Sequence, residues 1–201
     1  MSIDLLVVDD QADPGAVVFF GGLPAAPAGA LDWPVCATCD GPMQYQGRVP
    51  HPVDPANRVL VFQCANDPGG CDEWDPVSGG NKAIVIDASG LLSPAPAPDG
   101  GDTTLRGEWS GHVERVEADY AEAVSEKDGR QVLGFVGAAP WWIQNDETPD
   151  CPACGEPMTL AAQLEEGPDY RSAMNFGGGG CGYAFACGCP AGSAAFLWQC
   201  G

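Results

Sequence analysis

Ten cysteines in 201 residues carry most of the chemistry this sequence could perform. They fall into two similar runs. The first holds Cys36-Ala-Thr-Cys39-Asp-Gly-Pro-Met43, then Val59-Leu-Val-Phe-Gln-Cys64 and Cys71; the second holds Cys151-Pro-Ala-Cys154-Gly-Glu-Pro-Met158, then Tyr183-Ala-Phe-Ala-Cys187 and Cys189. Each Cys-x-x-Cys is followed, four residues after its second cysteine, by Met behind Pro. A Gly-x-Pro or Gly-x-x-Pro turn ends 12 and 11 positions ahead of the first cysteine, at Pro24 and Pro140. Zinc takes four tetrahedral ligands, and two thiol-bearing turns on neighbouring strands supply them. The small residue after the second cysteine, Gly155 or the Asp40-Gly41 pair, lets backbone N–H groups approach the sulfurs. The expected first ligand set is Cys36, Cys39, Cys64 and Cys71. In the second, Cys151 and Cys154 are joined by Cys187, which follows Phe185 as Cys64 follows Phe62. Cys189 is taken as the fourth, with Cys181 and Cys200 the remaining choices and otherwise small buried residues. Two structural zinc ions are thus the expected cofactors.

Other chemistries find little. A reactive Cys-x-x-Cys needs a thiol whose pKa is lowered, usually by a helix N-terminus or a nearby base, whereas Cys36 and Cys151 lead into turns and strands. His51 and His112 are the only histidines, and His51, in a loop beside prolines, is expected to be solvated. There is no Gly-x-Ser-x-Gly and no P-loop; Gly177–Gly180 lacks the Lys-Ser/Thr of a phosphate loop and reads as a tight turn. The acidic pairs are scattered. Trp141 and Trp142 either fill a core or form a platform for a partner. No catalytic residue is assigned, and the chain is not expected to be an enzyme.

The elements that must position these residues are mostly strands. Apolar, β-branched runs predict strands at Ile3–Val8, Val17–Phe20, Arg58–Cys64, Lys82–Asp87, Leu105–Trp109, Gln131–Val136, Met158–Leu164, Tyr183–Cys187 and Ala195–Cys200. Ala25–Asp32 reads as a loop. Over Gly111–Asp128 the spacing of Val113, Val116, Tyr120 and Val124 predicts a single amphipathic helix with Gly129 as its stop. The proline-rich stretch from Ser93 reads as a linker. The resulting expectation is a mainly β chain, α+β with little helix. Two pseudo-repeated antiparallel units, each with a zinc-ribbon-like knuckle of four cysteines, span residues 1–92 and 105–201 around a linker at 93–104. A single pseudo-symmetric domain is the other arrangement considered.

The formal charge is −20, with eight Lys and Arg against 28 Asp and Glu. Nucleic-acid affinity rests on cations displacing counterions, so this field excludes a phosphate-tracking groove and instead attracts basic proteins. No apolar segment approaches the length of a membrane span, and the N-terminal residues lack a secretory pattern. The expected location is therefore cytoplasmic, where paired thiols stay reduced and bind metal.

The second half resembles the bacterial YwqG-like domain of unknown function. The resemblance is carried by Gly134-Phe-Val-Gly-Ala-Ala-Pro-Trp-Trp-Ile-Gln144, Cys151-Pro-Ala-Cys154-Gly-Glu-Pro-Met158, Asn175-Phe-Gly-Gly-Gly-Gly-Cys-Gly-Tyr183 and Phe196-Leu-Trp-Gln-Cys200. The first half, through Gly21-Gly-Leu-Pro24, Cys36-x-x-Cys39, Pro-Met43 and Asn57-Arg-Val-Leu-Val-Phe-Gln-Cys64, is similar to the amino-terminal zinc-binding part of the programmed cell death protein 2 family. The resemblance implies a duplicated β-rich fold and a protein-binding role, either escorting a ribosomal protein or conferring immunity to a basic toxin. Where the bacterial pattern expects Cys-Pro-x-His-Pro, this chain has Cys187-Gly-Cys189-Pro190.

Overall fold

A computed structural model of the protein describes residues 2–127 and 129–201. Twelve strands form along the described chain: β1 (Ile3–Val8), β2 (Val18–Phe20), β3 (Ala25–Ala26), β4 (Gln44–Pro50), β5 (Asn57–Gln63), β6 (Asn81–Asp87), β7 (Ser93–Pro94), β8 (Trp109–Val116), β9 (Val132–Val136), β10 (Thr159–Leu164), β11 (Cys181–Ala186) and β12 (Ala194–Gln199). One short helix, α1 (Tyr120–Glu126), joins β8 to β9 by way of a 3-10 turn at Gly129–Gln131.

Ten strands make one antiparallel sheet in the order β12-β11-β10-β9-β1-β8-β2-β4-β5-β6. Read from either end, this order pairs β6 with β12, β5 with β11, β4 with β10, β2 with β9 and β8 with β1. The mainly β, pseudo-repeated fold is therefore present, and its registers repeat in detail. The β4–β5 pairing slips between Tyr45 and Gly47, and the β10–β11 pairing slips between Leu160 and Ala162. The bridge Val35 to Pro42 has its counterpart in Asp150 to Pro157.

The first strand of each repeat, however, lies in the other half. β1 pairs with β8 and β9, and β8 pairs with β1 and β2. The two halves thus exchange their opening strands across the sheet centre. The stretch read as a linker also joins the fold: Ser93 and Pro94 pair with Ala26 and Ala25, in the segment read as a loop, and Thr104 bridges to Tyr45.

Three clusters of buried side chains follow from strand alternation. Val59 and Val61 of β5 and Ala184 and Ala186 of β11 point to a core shared by both halves, with Phe20, Trp109, Leu133, Phe176 and Phe196. Leu60 and Phe62 point the other way, onto Cys36, Met43, Cys64 and Cys71. Tyr183 and Phe185 do likewise, onto Cys151, Met158, Cys187 and the helix residues Tyr120 and Ala123. The edge strands β6 and β12 approach each other, so the sheet curls around the shared core.

The helix expected over Gly111–Asp128 is corrected. Residues 109–116 form the central strand β8, the helix is confined to Tyr120–Glu126, and the helix end expected at Asp128 lies outside the described residues. Val113 and Val116 are β-branched and sit opposite Leu6 and Ile3, so pairing with β1 overrides their helical spacing. The strand expected at Leu105–Trp109 correspondingly begins only at Trp109. Asp119 caps the helix, its side chain accepting from the Glu122 N–H.

Gly134 shows how closely the strands of the second half approach. It has φ of +125°, and a Cβ there would lie 1.9 Å from the Gln163 carbonyl oxygen. Gly134→Ala should therefore destabilise the protein by about 3 kcal/mol, combining backbone strain with a forced separation of β9 and β10. Thermal unfolding of the metal-loaded variant checks this, and an unchanged melting temperature would contradict the close approach.

Candidate metal centres

Each Cys-x-x-Cys turn is built by the same three backbone bonds. The Cys36 N–H donates to the Gly41 carbonyl, Asp40 to Cys36, and Met43 to Pro34; Cys151 donates to Glu156, Gly155 to Cys151, and Met158 to Pro149. The turn requires a left-handed residue after its second cysteine, supplied by Asp40 at φ 56° and Gly155 at φ 77°. Aspartate is among the few side chains that tolerate this region.

These turns bring together the eight cysteines expected from the sequence. The sulfurs of Cys36, Cys39, Cys64 and Cys71 lie within 4.8 Å of one another, as do those of Cys151, Cys154, Cys187 and Cys189. Individual separations are 3.7 Å for Cys39–Cys64, 3.8 Å for Cys151–Cys189 and 3.6 Å for Cys154–Cys187. Four thiolates at about 2.3 Å from one tetrahedral ion stand about 3.8 Å apart, so both sets fit a single metal. They do not fit disulfides, whose sulfurs lie at about 2.0 Å, and all ten cysteines are free. Cys181 and Cys200 join neither set; Cys181 is buried, with its sulfur 3.5 Å from Glu165 Oε1.

The electrostatics of both sets call for a cation. The Gly41 N–H draws the Cys39 thiol down to about 7, and the Ser193 hydroxyl draws Cys151 down to about 6. Burial pushes Cys64 and Cys71 up. The Cys189 N–H favours the Cys187 thiolate, but neighbouring thiols outweigh it and hold Cys187 up to about 12. Each set thus holds one thiol drawn down and at least one held up, an imbalance that a bound cation would relieve.

The two sets differ in their fourth ligand. Alignment of β5 with β11 places Cys64 opposite Cys187, which puts Asn66, not Cys71, at the place of Cys189. The Asn66 amide donates to Cys39 Sγ at 3.6 Å and Cys64 Sγ at 3.5 Å. Cys71 then returns to the set after a loop tightened by the Gly70 N–H to Asp67 carbonyl bond. Asn66 and Ser193 were not singled out from sequence; only their nearness to Cys64 and Cys189 could have marked them.

Each half also touches the other close in sequence to its cysteines. Val53, in the β4–β5 hairpin, packs on Gly188 between Cys187 and Cys189. From the β10–β11 connection, the Asn175 carbonyl accepts from Gln63, the residue before Cys64, at 2.8 Å.

The remaining sequence candidates fall elsewhere. Trp141 is 50% exposed, its ring 5.8 Å from Tyr120. Trp142 instead packs against Tyr183 and Phe185 at 4.5 and 6.0 Å. His51, expected to be solvated, is buried at 6% exposure, because its Nδ1 accepts the Val53 and Asp54 N–H groups and ties the hairpin turn. Ser110, Asp9 and His112 converge, but Asp9 stands between the other two, holding the Ser110 hydroxyl with one oxygen and His112 Nδ1 with the other. The imidazole therefore cannot take the serine proton, and the arrangement is not a nucleophilic triad. Glu166 fills the glycine loop, accepting N–H bonds from Phe176 and Gly178.

No protein-family model matches the chain, and no curated protein matches it. Among the described residues no helix is long and apolar enough to cross a membrane.

Proposed function

We propose that the chain is a zinc-stabilised, non-enzymatic protein-binding module of the cytoplasm, whose acidic surface shields or sequesters a basic partner. Zinc is favoured because a closed set of four thiolates is its structural coordination and leaves no open position for a substrate. The observation that carries the partner class is the charge of −20, with eight cationic residues in the whole chain. Such a field speeds encounter with a basic protein and repels nucleic acid. The resemblance to YwqG-like and programmed cell death protein 2 sequences belongs to the same proposal. Toxin immunity and ribosomal-protein escort are its two forms.

Charge steers but does not anchor. Trp141, half exposed, is the proposed anchor, while Trp142 serves the core beneath it. Affinity for a partner captured by pull-down should fall on the order of tenfold as ionic strength rises from about 0.05 to 0.5 M. Trp141→Ala should weaken binding at unchanged melting temperature, whereas Trp142→Ala should lower the melting temperature. An acidic partner, or a nucleic acid in its place, would defeat the proposal.

The rival reading is a metal- or thiol-dependent enzyme. It is favoured by one observation, the exposed Cys39 thiol drawn down to about 7. Alkylation of the zinc-loaded protein separates the two. A structural centre protects Cys39, and rapid single-site labelling would favour the enzyme.

A further inference from the structure

A cavity of about 190 Å³ opens at one end of the shared core, beside the first metal centre. Its walls include Gln44, Gln46 and Gln63 from β4 and β5, Arg106, and Arg171 from the β10–β11 connection. All three glutamines are buried, Gln46 at 2% and Gln63 at 3% exposure. Their amide N–H groups are committed: Gln44 to the Thr104 carbonyl, Gln46 to Gln44, and Gln63 to Asn175. The carbonyl oxygens Gln46 Oε1 and Gln63 Oε1 are buried with no partner.

The fold does not demand this polarity. By strand register, the second repeat places Thr159, Ala161 and Ala186 where the first has Gln44, Gln46 and Gln63. Ala161 and Ala186 belong to the apolar shared core. The same architecture is thus built with small side chains in one half and with unsatisfied amides around a cavity in the other. Buried polar groups without partners are rare in folded proteins and mark a place where something else supplies the bond.

The rim carries the opposite preference. Arg106 and Arg171 are two of only eight cationic residues in the chain, and neither guanidinium pairs with a carboxylate among the described residues. Arg171 lies over the Tyr170 ring at 4.7 Å, which limits its freedom before any ligand arrives. Asp102, also in the lining, offsets one of these charges.

From this placement we propose that the cavity binds an α-carboxylate with an adjacent N–H donor: the carboxylate at Arg106 and Arg171, and the donor toward Gln46 and Gln63, whose oxygens, closed off in the unliganded chain, turn to accept it. Arginine is suited to planar, bidentate carboxylate recognition. A cavity of this size admits a group no larger than one or two small amino-acid residues. Both a free amino acid and the C-terminal residue of a peptide present this chemistry. The site is independent of the basic-partner reading and of Trp141.

Calorimetric titration of the metal-loaded full chain tests it with three probes: acetyl-alanyl-alanine, the same peptide as its C-terminal amide, and free alanine. At least one carboxylate probe should bind at a single site and the amide should not. Acetyl-alanyl-alanine binding more tightly identifies a chain end, and free alanine a metabolite. Arg106→Ala and Arg171→Ala, both at exposed positions that leave the fold intact, should each weaken binding at least tenfold. Equal binding of the amide, unchanged affinity in both arginine variants, or no binding of either carboxylate would overturn the proposal and leave the cavity to water.

Discussion

Strong chelation of the purified protein should unfold both four-cysteine units and most of the sheet they anchor. Metal binding to structural thiolate sites contributes about 10 kcal/mol or more per site in small peptides, whereas a whole domain is stable by only about 5–15 kcal/mol. Here Cys36, Cys64 and Cys71 belong to the apolar cluster beneath β5, and Cys151 and Cys187 to the one beneath β11. Losing the ion therefore loosens side chains that fill the core. Elemental analysis of protein purified without chelator should give two zinc ions per chain, and Cys36→Ser or Cys151→Ser should each remove one. Chelated protein should lose its cooperative thermal transition. A melting curve unchanged by chelation, or disulfides in place of metal in reduced protein, would refute the structural role.

Separating the halves should be as damaging. A fragment of residues 1–104 retains β2, β4, β5 and β6, but it loses both neighbours of β1, since β8 and β9 lie beyond the cut. It also loses Trp109, Leu133, Ala161, Phe176 and Phe196 from the shared core. Hydrophobic surface, both edges of β1 and one edge of β2 would face water. The fragment should be unfolded, or should dimerise by pairing two copies of β1 at the centre. Mixing it with residues 105–201 in the presence of zinc should restore one soluble species of native size. Size-exclusion chromatography and circular dichroism distinguish these outcomes. A cooperative monomeric fragment would show that the strand exchange is dispensable.

The two cysteine sets were legible because metal chemistry is written in local spacing. The Cys-x-x-Cys turn, the Pro-Met behind it and the Phe two residues before Cys64 and Cys187 are short-range marks. What was not legible depended on distant partners. Val113 and Val116 carry a helical spacing, and only pairing with β1, more than a hundred residues away, makes them strand. β4 escaped notice because Gln44, Gln46 and Arg48 disrupt apolar alternation, although all three are buried. Asn66 was hidden for a related reason: its role is defined by which strand aligns with which, and the identical spacing of Cys187 to Cys189 emerges only from that alignment. The exchange of opening strands leaves no local mark, since it is set by which distant strands β1 and β8 pair with.

The contacts between the halves link the two centres thermodynamically. Val53 reaches Gly188 only when the first half is ordered, and Asn175 reaches Gln63 only when the second is. If each ion orders its own half, binding at one site should raise affinity at the other, by the same factor in both directions. At limiting zinc, chains carrying both ions should then exceed their statistical share.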